Sequence, residues 1–316
     1  MTAMTSFKPS ETTRPRGNWA TLLLPINPDD SIDFARLGDE IDHLVSARVD
    51  GIYSNGTAGE FHNQTEGEFD AIQALLAERC RPANMPFVIG ACQPDPRISL
   101  DRVRRAATLR PAAIQIIIPD WWPLTPPEAT RFLEMAAEAA GAIPLILYNP
   151  PHAKRVYTPS ELAQILAPVP TVVGVKLGDG DAGWYEEARS HLSPWAIFVP
   201  GHHLATGVSE GVAAGAFSNV ACLSPAGAQH WTAMMADDPA QALDIETRLR
   251  AFLDTHIIPF AKSGQYSNAA LDKLLAAIGG WADVGTRLRQ PYRWIDPAVV
   301  PDLRSAAQNA IPEIMG

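Results

Sequence analysis

Lys176 closes the run Thr171-Val172-Val173-Gly174-Val175, which is apolar and rich in β-branched residues, and is followed by Leu177-Gly178-Asp179-Gly180. Such a run reads as a buried strand that delivers a lysine to its C-terminal end. Burial strips solvent from the ammonium, so its pKa falls and the neutral amine becomes available as a nucleophile. That is the requirement for a lysine that forms a Schiff base with a carbonyl. Taken alone, the stretch also admits a strand-end lysine with its head in water.

Other strand ends carry groups of matching chemistry. Tyr148 stands in Leu147-Tyr148-Asn149-Pro150-Pro151, where two prolines fix the departing chain. It reads either as a rigidly placed phenol able to give and accept a proton or as a tyrosine packed at a rim. In Ser54-Asn55-Gly56-Thr57-Ala58-Gly59-Glu60, two glycines bracket a hydroxyl residue. That loop suits successive backbone N–H groups aimed at an anion such as a carboxylate, or an ordinary strand-to-helix turn. Adjacent His202 and His203 point in different directions and make a poor metal pair. Trp121 and Trp122 suit a pocket wall, a subunit contact or rim packing.

A repeated pattern positions these groups. Apolar runs at Ala20–Ile26, Asp50–Ser54, Pro86–Cys92, Ala113–Pro119, Pro144–Tyr148, Val172–Leu177, Ala196–Pro200 and Ala216–Cys222 give eight candidate strands. Helical stretches lie between them. Phe34, Leu37, Ile41, Leu44 and Val45 form one apolar stripe. Thr125-Pro126-Pro127-Glu128 and Thr158-Pro159-Ser160-Glu161 carry helix-start signals with proline in the first turn. A seventh helix is expected over about His203–Ala214, ended by Gly215. Eight strand–helix repeats fit a (β/α)8 TIM barrel of the α/β class. A doubly wound sheet is the runner-up, but no GxGxxG follows the first strand and no GxxxxGK[ST] occurs. The expected organisation is a loose N-terminal arm over 1–17, a barrel over 18–238 and a C-terminal helical extension over 239–316. Helices are expected there near Leu243–Phe260, Asn268–Ile278 and Pro301–Ala310, with a basic aromatic turn at Arg287–Trp294.

Composition narrows the function classes. The 316 residues are 47% hydrophobic and 19% charged, as a globular chain with a large core requires. A formal net charge of -10 argues against a nucleic-acid partner. No apolar run reaches membrane-spanning length, and the first residues lack a signal peptide's apolar core. Cys80, Cys92 and Cys222 are too few and scattered for a disulfide framework or a zinc motif, so a reduced cytoplasmic setting is expected.

Together, Gly56-Thr57-Ala58-Gly59-Glu60, Tyr148-Asn149-Pro150-Pro151 and Gly174-Val175-Lys176, with tyrosine and lysine 28 residues apart, resemble the dihydrodipicolinate synthase / N-acetylneuraminate lyase family of class I aldolases. The resemblance implies a cofactor-free, metal-free reaction in which Lys176 forms an imine with pyruvate or another 2-oxo acid. Tyr148 would relay the proton, Thr57 would hydrogen-bond its hydroxyl, and the N–H groups of Thr57 and Ala58 would hold the carboxylate. Gly59, Trp122, Gly201 and Ser218 fall where the family lines its substrate pocket. The resemblance further implies a homotetramer built from dimers, with a small-molecule substrate and neither nucleic acid nor membrane as partner.

Three departures bear on substrate choice. Ala58 stands where the family usually has a second hydroxyl residue. Trp122 stands where dihydrodipicolinate synthase receives a tyrosine from a neighbouring subunit. Ala153 stands where that enzyme has a carboxylate-binding arginine, unless His152, Lys154 or Arg155 faces inward. The resulting expectation is an aldolase, lyase or dehydratase acting on a 2-keto-3-deoxy acid or related aldol. Its rivals are dihydrodipicolinate synthase itself, a non-catalytic 2-oxo acid or sugar-acid sensor, and a metal-dependent barrel aldolase.

Overall fold

Eight short strands close into a parallel barrel in chain order in the computed structural model, which describes residues 14–316. They are β1 (Gly17–Thr21), β2 (Gly51–Ser54), β3 (Phe87–Gly90), β4 (Ala113–Ile117), β5 (Leu145–Tyr148), β6 (Val172–Lys176), β7 (Ala196–Pro200) and β8 (Ala213–Ser218). Closure through the β1–β8 ladder excludes the open doubly wound sheet. Most of the arm expected over 1–17 lies outside the described residues.

The connecting helices are α1 (Phe34–Ser46), α2 (Glu66–Cys80), α3 (Pro96–Thr108), α4 (Pro126–Ala140), α5 (Pro159–Leu166), α6 (Ala182–Leu192) and α7 (Leu204–Ser209). The start signals work as capping chemistry predicts. Glu161 reaches back to the Thr158 N–H at 2.9 Å while the Thr158 hydroxyl accepts from the Glu161 N–H at 3.3 Å. Glu128 accepts from the Thr125 N–H at 2.7 Å.

After β8 come α8 (Val220–Leu223) and α9 (Pro225–Asp237), then a helical tail of α10 (Pro239–Phe252), α11 (Ile258–Lys262), α12 (Asn268–Gly279), α13 (Val300–Ala310) and α14 (Pro312–Met315). A π turn over Leu253–Ile257 joins α10 to α11. No helix of the described residues is long and apolar enough to cross a membrane.

Trp19, Tyr53, Val88, Ile146, Phe198 and Phe217 fill the barrel interior. A larger apolar shell lies between strands and helices and runs on into the tail through Leu274, Leu275 and Ile278. Each such side chain contributes roughly 1.5–3 kcal/mol on burial. α12 is clamped between α8 and α13, so its Asp272 and Lys273 are buried with its leucines.

Two strand boundaries differ from expectation. The first strand is Gly17–Thr21, not Ala20–Ile26: Leu22, Leu23 and Leu24 are buried core residues of the loop that follows. The last is Ala213–Ser218, not Ala216–Cys222, because Val220–Leu223 is helical. Gly215 lies inside β8 and does not end a helix, and α7 stops at Ser209. The closing strands approach so tightly there that a β-carbon on Gly215 would lie 2.2 Å from the Gly17 carbonyl oxygen. Small residues with little strand signal therefore close the barrel.

Candidate active site

The C-terminal strand ends open into a cavity of about 240 Å³. Lys176 reaches it from β6, Tyr148 from β5, Tyr53 from β2, and Thr57 and Ala58 from the loop after β2. Phe217, Asn219, Cys222, His152 and His202 complete much of the wall, and Asn268 and Asp272 enter from α12. A groove of about 590 Å³ alongside shares Pro151, Leu177 and Gly178 but contains neither the lysine nor the phenol.

The Lys176 amine is surrounded by rings. Its Nζ lies 4.3 Å from the Tyr148 ring centroid, 5.0 Å from Tyr53 and 5.3 Å from Phe217. Burial pulls its pKa from 10.5 to about 8, against smaller opposing contributions from Cys92, Asp272 and Cys222. Burial likewise pushes the Tyr148 phenol to about 12, with Thr57 holding it down in part. Thr57 Oγ1 is buried and has no fully formed hydrogen bond among the described residues, so its hydroxyl is free to turn to the phenol or a ligand.

The loop carrying Thr57 is held in a tense shape. Asn55 and Glu60, which flank Gly56–Gly59, sit at φ 54° and 50°, a left-handed region uncommon for a glutamate. Glu60 is fixed there by the Lys273 ammonium at 2.9 Å and by the Arg289 N–H at 3.1 Å. Gly59 and Glu60 donate their N–H groups back to Gly56 and Thr57, whereas those of Thr57 and Ala58 find no acceptor among the described residues. Two unpaired N–H groups beside the cavity make a ready cradle for a carboxylate.

The remaining expected positions lie elsewhere. Gly59 packs under the loop, where a β-carbon would come 3.2 Å from the Leu22 carbonyl oxygen. Gly201 lies against Ser218, whose hydroxyl accepts from the Ala221 N–H at 3.1 Å and so starts α8; neither residue lines the cavity. Trp122 is 82% exposed on the loop after β4. Lys154 donates to the Trp121 carbonyl at 2.8 Å, and Arg155 binds Glu161 at 2.9 Å. Among His152, Lys154 and Arg155, only His152 lines the cavity.

The two histidine rings lie 4.5 Å apart, so the expectation that adjacency turns them in different directions is not met, although their polar partners differ. His202 faces the cavity against Asn219, and burial pulls its pKa to about 4. His203 contacts Asp179 at 2.5 Å, and Tyr185 donates to the same carboxylate. No cluster of three or more His, Cys, Asp or Glu placed to hold a metal ion occurs among the described residues.

Asp272, Asn268, Tyr53 and Cys222 were missed from sequence. For Asp272 one signal exists: adjacent Asp272 and Lys273 interrupt Ala-Ala-Leu and Leu-Leu-Ala-Ala in a helix otherwise apolar around its circumference. Charged residues in such a helix are buried, and buried charges need partners.

The fold and site together define a (β/α)8 barrel with a desolvated lysine amine at its mouth. The chain belongs to the dihydrodipicolinate synthetase family, whose family model matches residues 14–309. It is 28% identical over 167 residues to 4-hydroxy-tetrahydrodipicolinate synthase of Thermomicrobium roseum, covering 52% of this chain and 54% of that one. It is 29% identical over 187 residues to N-acetylneuraminate lyase of Rhizobium meliloti, covering 59% and 61%. The chain thus spans little more than half the length of these curated relatives. Among solved structures it resembles YagE, a prophage protein of the dihydrodipicolinic acid synthase family from E. coli K12 solved with pyruvate. The TM-score is 0.80 at 20% identity, over 93% of this chain and 98% of that one. N-acetylneuraminate lyase from Fusobacterium nucleatum aligns at TM-score 0.79 and 17% identity, over 94% and 99%.

Proposed function

We propose that this protein is a class I aldolase, lyase or dehydratase that forms a Schiff base between Lys176 and pyruvate or another 2-oxo acid. The observation that carries the reading is the Lys176 amine, desolvated to a pKa of about 8 with the Tyr148 ring 4.3 Å away. The neutral amine attacks C2 of the 2-oxo acid, and the carbinolamine takes up one proton as it loses water, leaving a cationic imine. In aldol cleavage the C4 hydroxyl gives up its proton, the C3–C4 electron pair flows into the imine, and an aldehyde departs. Tyr148 takes that proton and C3 of the enamine receives one in return; water then releases pyruvate and frees the lysine. A phenol near pKa 12 is a weak standing base, so it accepts a proton as it hands one on, and Thr57 is the hydroxyl placed to receive it. The free N–H groups of Thr57 and Ala58 hold the substrate carboxylate, without the further hydroxyl contact that Ala58 lacks. Membership of a family that includes named lyases, and a neighbour solved with pyruvate, support the same reading.

The distal pocket favours an uncharged or weakly polar substrate end over aspartate semialdehyde. Ala153 carries no charge, Lys154 and Arg155 are engaged away from the cavity, and His152 is the one of the three flanking polar residues that faces it, without an arginine's bidentate fork. Loss of a charge-assisted contact typically costs about 1.5–3 kcal/mol. A panel of 2-keto-3-deoxy acids and aromatic aldols, read by pyruvate release beside a coupled aspartate semialdehyde assay, tests this. The expected result is turnover of an aldol in the panel and a low kcat/KM for the semialdehyde. A semialdehyde kcat/KM above every other substrate assigns dihydrodipicolinate synthase activity instead.

A further inference from the structure

α12 brings into the cavity a carboxylic acid that the chemistry above leaves unused. Asp272 is 6% exposed and lines the cavity with Lys176. Asn268 Nδ2 donates to its Oδ2 at 3.1 Å, and no cationic side chain bonds to it. Lys273, its chain neighbour, is turned to Glu60. Among the described residues lining the cavity, Lys176 is the one lysine or arginine. A buried carboxylate with a single neutral donor is expensive unless a cation faces it, and Lys176 is the one ammonium lining the same cavity, with no ion pair within 4.0 Å joining the two.

Topology sets the direction of approach. α12 packs on α8, which packs on β1, so Asp272 enters from the β8–β1 side. Tyr148 stands on β5, across the closed eight-strand barrel from β1. Two proton-carrying groups therefore face the lysine from different walls.

We propose that Asp272 is the proton partner of Lys176: its carboxylate takes a proton from the ammonium, returns it to the hydroxyl that leaves as water, and then stands as counter-ion to the cationic imine. This rests on the Schiff-base reading above. The step balances without an outside acid or base. The ammonium gives one proton to Asp272, and the freed amine adds to the ketone to form a carbinolamine. The carboxylic acid protonates the carbinolamine hydroxyl, the C–O bond breaks, and water, iminium and carboxylate remain. Ammonium plus ketone has become iminium plus water, with Asp272 unchanged. Tyr148 is left for the proton of the carbon–carbon step.

Burial also shifts the other ionisable groups around Asp272. Burial pushes Tyr53 and Tyr148 up, and Cys222 of α8 and Cys92 after β3 likewise, while His202 is pulled down to about 4. Glu40 of α1 is pushed up by burial, its carboxylate accepting from the Leu23 N–H. Arg304 of α13 binds the far carbonyl end of α12, and Lys262 of α11 is exposed. Burial lifts Asp272 to about 7, with Lys176 pulling it back, while Lys176 sits near 8. Asp272 and Lys176 line one cavity, and their ranges bring a proton exchange between them near neutrality.

The test compares the whole protein, Asp272→Asn and Asn268→Ala in two measurements. Competitive acetic anhydride labelling against pH, read on the Lys176 peptide without substrate, reports the amine's titration. Borohydride trapping with pyruvate across pH reports imine formation. Asp272→Asn removes the charge that favours the ammonium, so the labelling midpoint should fall by about one pH unit, while trapping at pH 7.5 slows about 10²-fold. Asn268→Ala removes a donor that favours the carboxylate, so the acid limb of trapping should move to higher pH. A merely structural role would not move the two variants' profiles in opposite directions. If Asp272→Asn does not fold, the Asn268→Ala shift decides alone, and an unmoved limb overturns the proposal. Wild-type trapping with an unchanged Asp272→Asn midpoint and rate overturns it while leaving the Schiff-base reading intact. If wild type forms no adduct, both fall.

Discussion

At Lys176 two effects oppose each other. Three ring faces within 5.3 Å favour the ammonium, typically by about 0.5–2 kcal/mol for such contacts. Desolvation disfavours it and wins: a fall from 10.5 to about 8 corresponds to roughly 3 kcal/mol. Near pH 7.5 that changes the neutral fraction from about one amine in a thousand to about one in four. The hydroxyls around it predict a graded response. Tyr148→Phe keeps the ring and removes the proton carrier, so kcat should fall by roughly 10²–10⁴-fold. Thr57→Val should reduce kcat in the same direction but less, since it acts through the phenol. Steady-state kinetics on the best panel substrate check both, and equal rates for Tyr148→Phe and wild type would remove the phenol from the proton path. Lys176, Tyr148, Thr57 and Ala58 were legible as a set because strand-end residues in a parallel barrel must converge at one mouth. Gly59, Gly201 and Ser218 do not line the cavity; Gly59 and Gly201 are closely packed and Ser218 accepts from the Ala221 N–H, a difference of orientation that residue type does not encode.

At the scale of elements, α12 does two jobs from adjacent positions. Asp272 enters the cavity, while Lys273 binds Glu60 and so braces the loop that carries the free N–H pair. Burial lowers the Lys273 pKa, opposed by Glu60, so the ion pair is what keeps the amine charged inside the protein. Lys273→Met should leave Glu60 buried without its cation, a loss of about 3–5 kcal/mol. Because that loop is the proposed carboxylate cradle, KM for the 2-oxo acid should rise more than kcat falls. Urea unfolding and KM measured on the same preparation check this, and unchanged values of both would show that the pair does not brace the loop. The helix itself was legible from its apolar pattern, but its docking was not, since nothing in 316 residues of spacing says which face of the barrel a tail helix meets. The β1 and β8 boundaries failed for a related reason. Glycine and alanine carry little strand signal, yet β8 is rich in them, and at Gly215 only a residue without a β-carbon allows the backbone approach that closes the ring.

Across the whole molecule, the segment from Arg287 to Trp294 ties the tail to the start of the barrel. Arg287 stacks on Trp294 at 4.4 Å and pairs with Asp30. Arg289 binds Glu68 of α2 through both of the carboxylate's oxygens and gives its N–H to Glu60. The Arg289 hydrogen bonds lower the Glu68 pKa from 4.5 to about 2 despite its burial. A depressed carboxylate stabilises the fold above its unfolded pKa, and that contribution disappears as pH falls through its folded value. Glu68→Gln should therefore be less stable than wild type at pH 6, by roughly 1–2 kcal/mol once solvent screening is allowed for. The difference should narrow between pH 4.5 and 2. Thermal melts at those pH values read it directly, and a gap that stays constant with pH would show that the pair is not the source.

The covalent chemistry proposed for Lys176 is tested by one measurement. The protein is incubated with pyruvate, reduced with borohydride, digested, and its peptides weighed beside those of Lys176→Ala treated in the same way. The predicted result is a reduced pyruvate adduct on the Lys176 peptide of wild type, no adduct in the folded variant, and loss of activity by several orders of magnitude. An adduct on another lysine, or pyruvate release by Lys176→Ala at a rate near wild type, would contradict it.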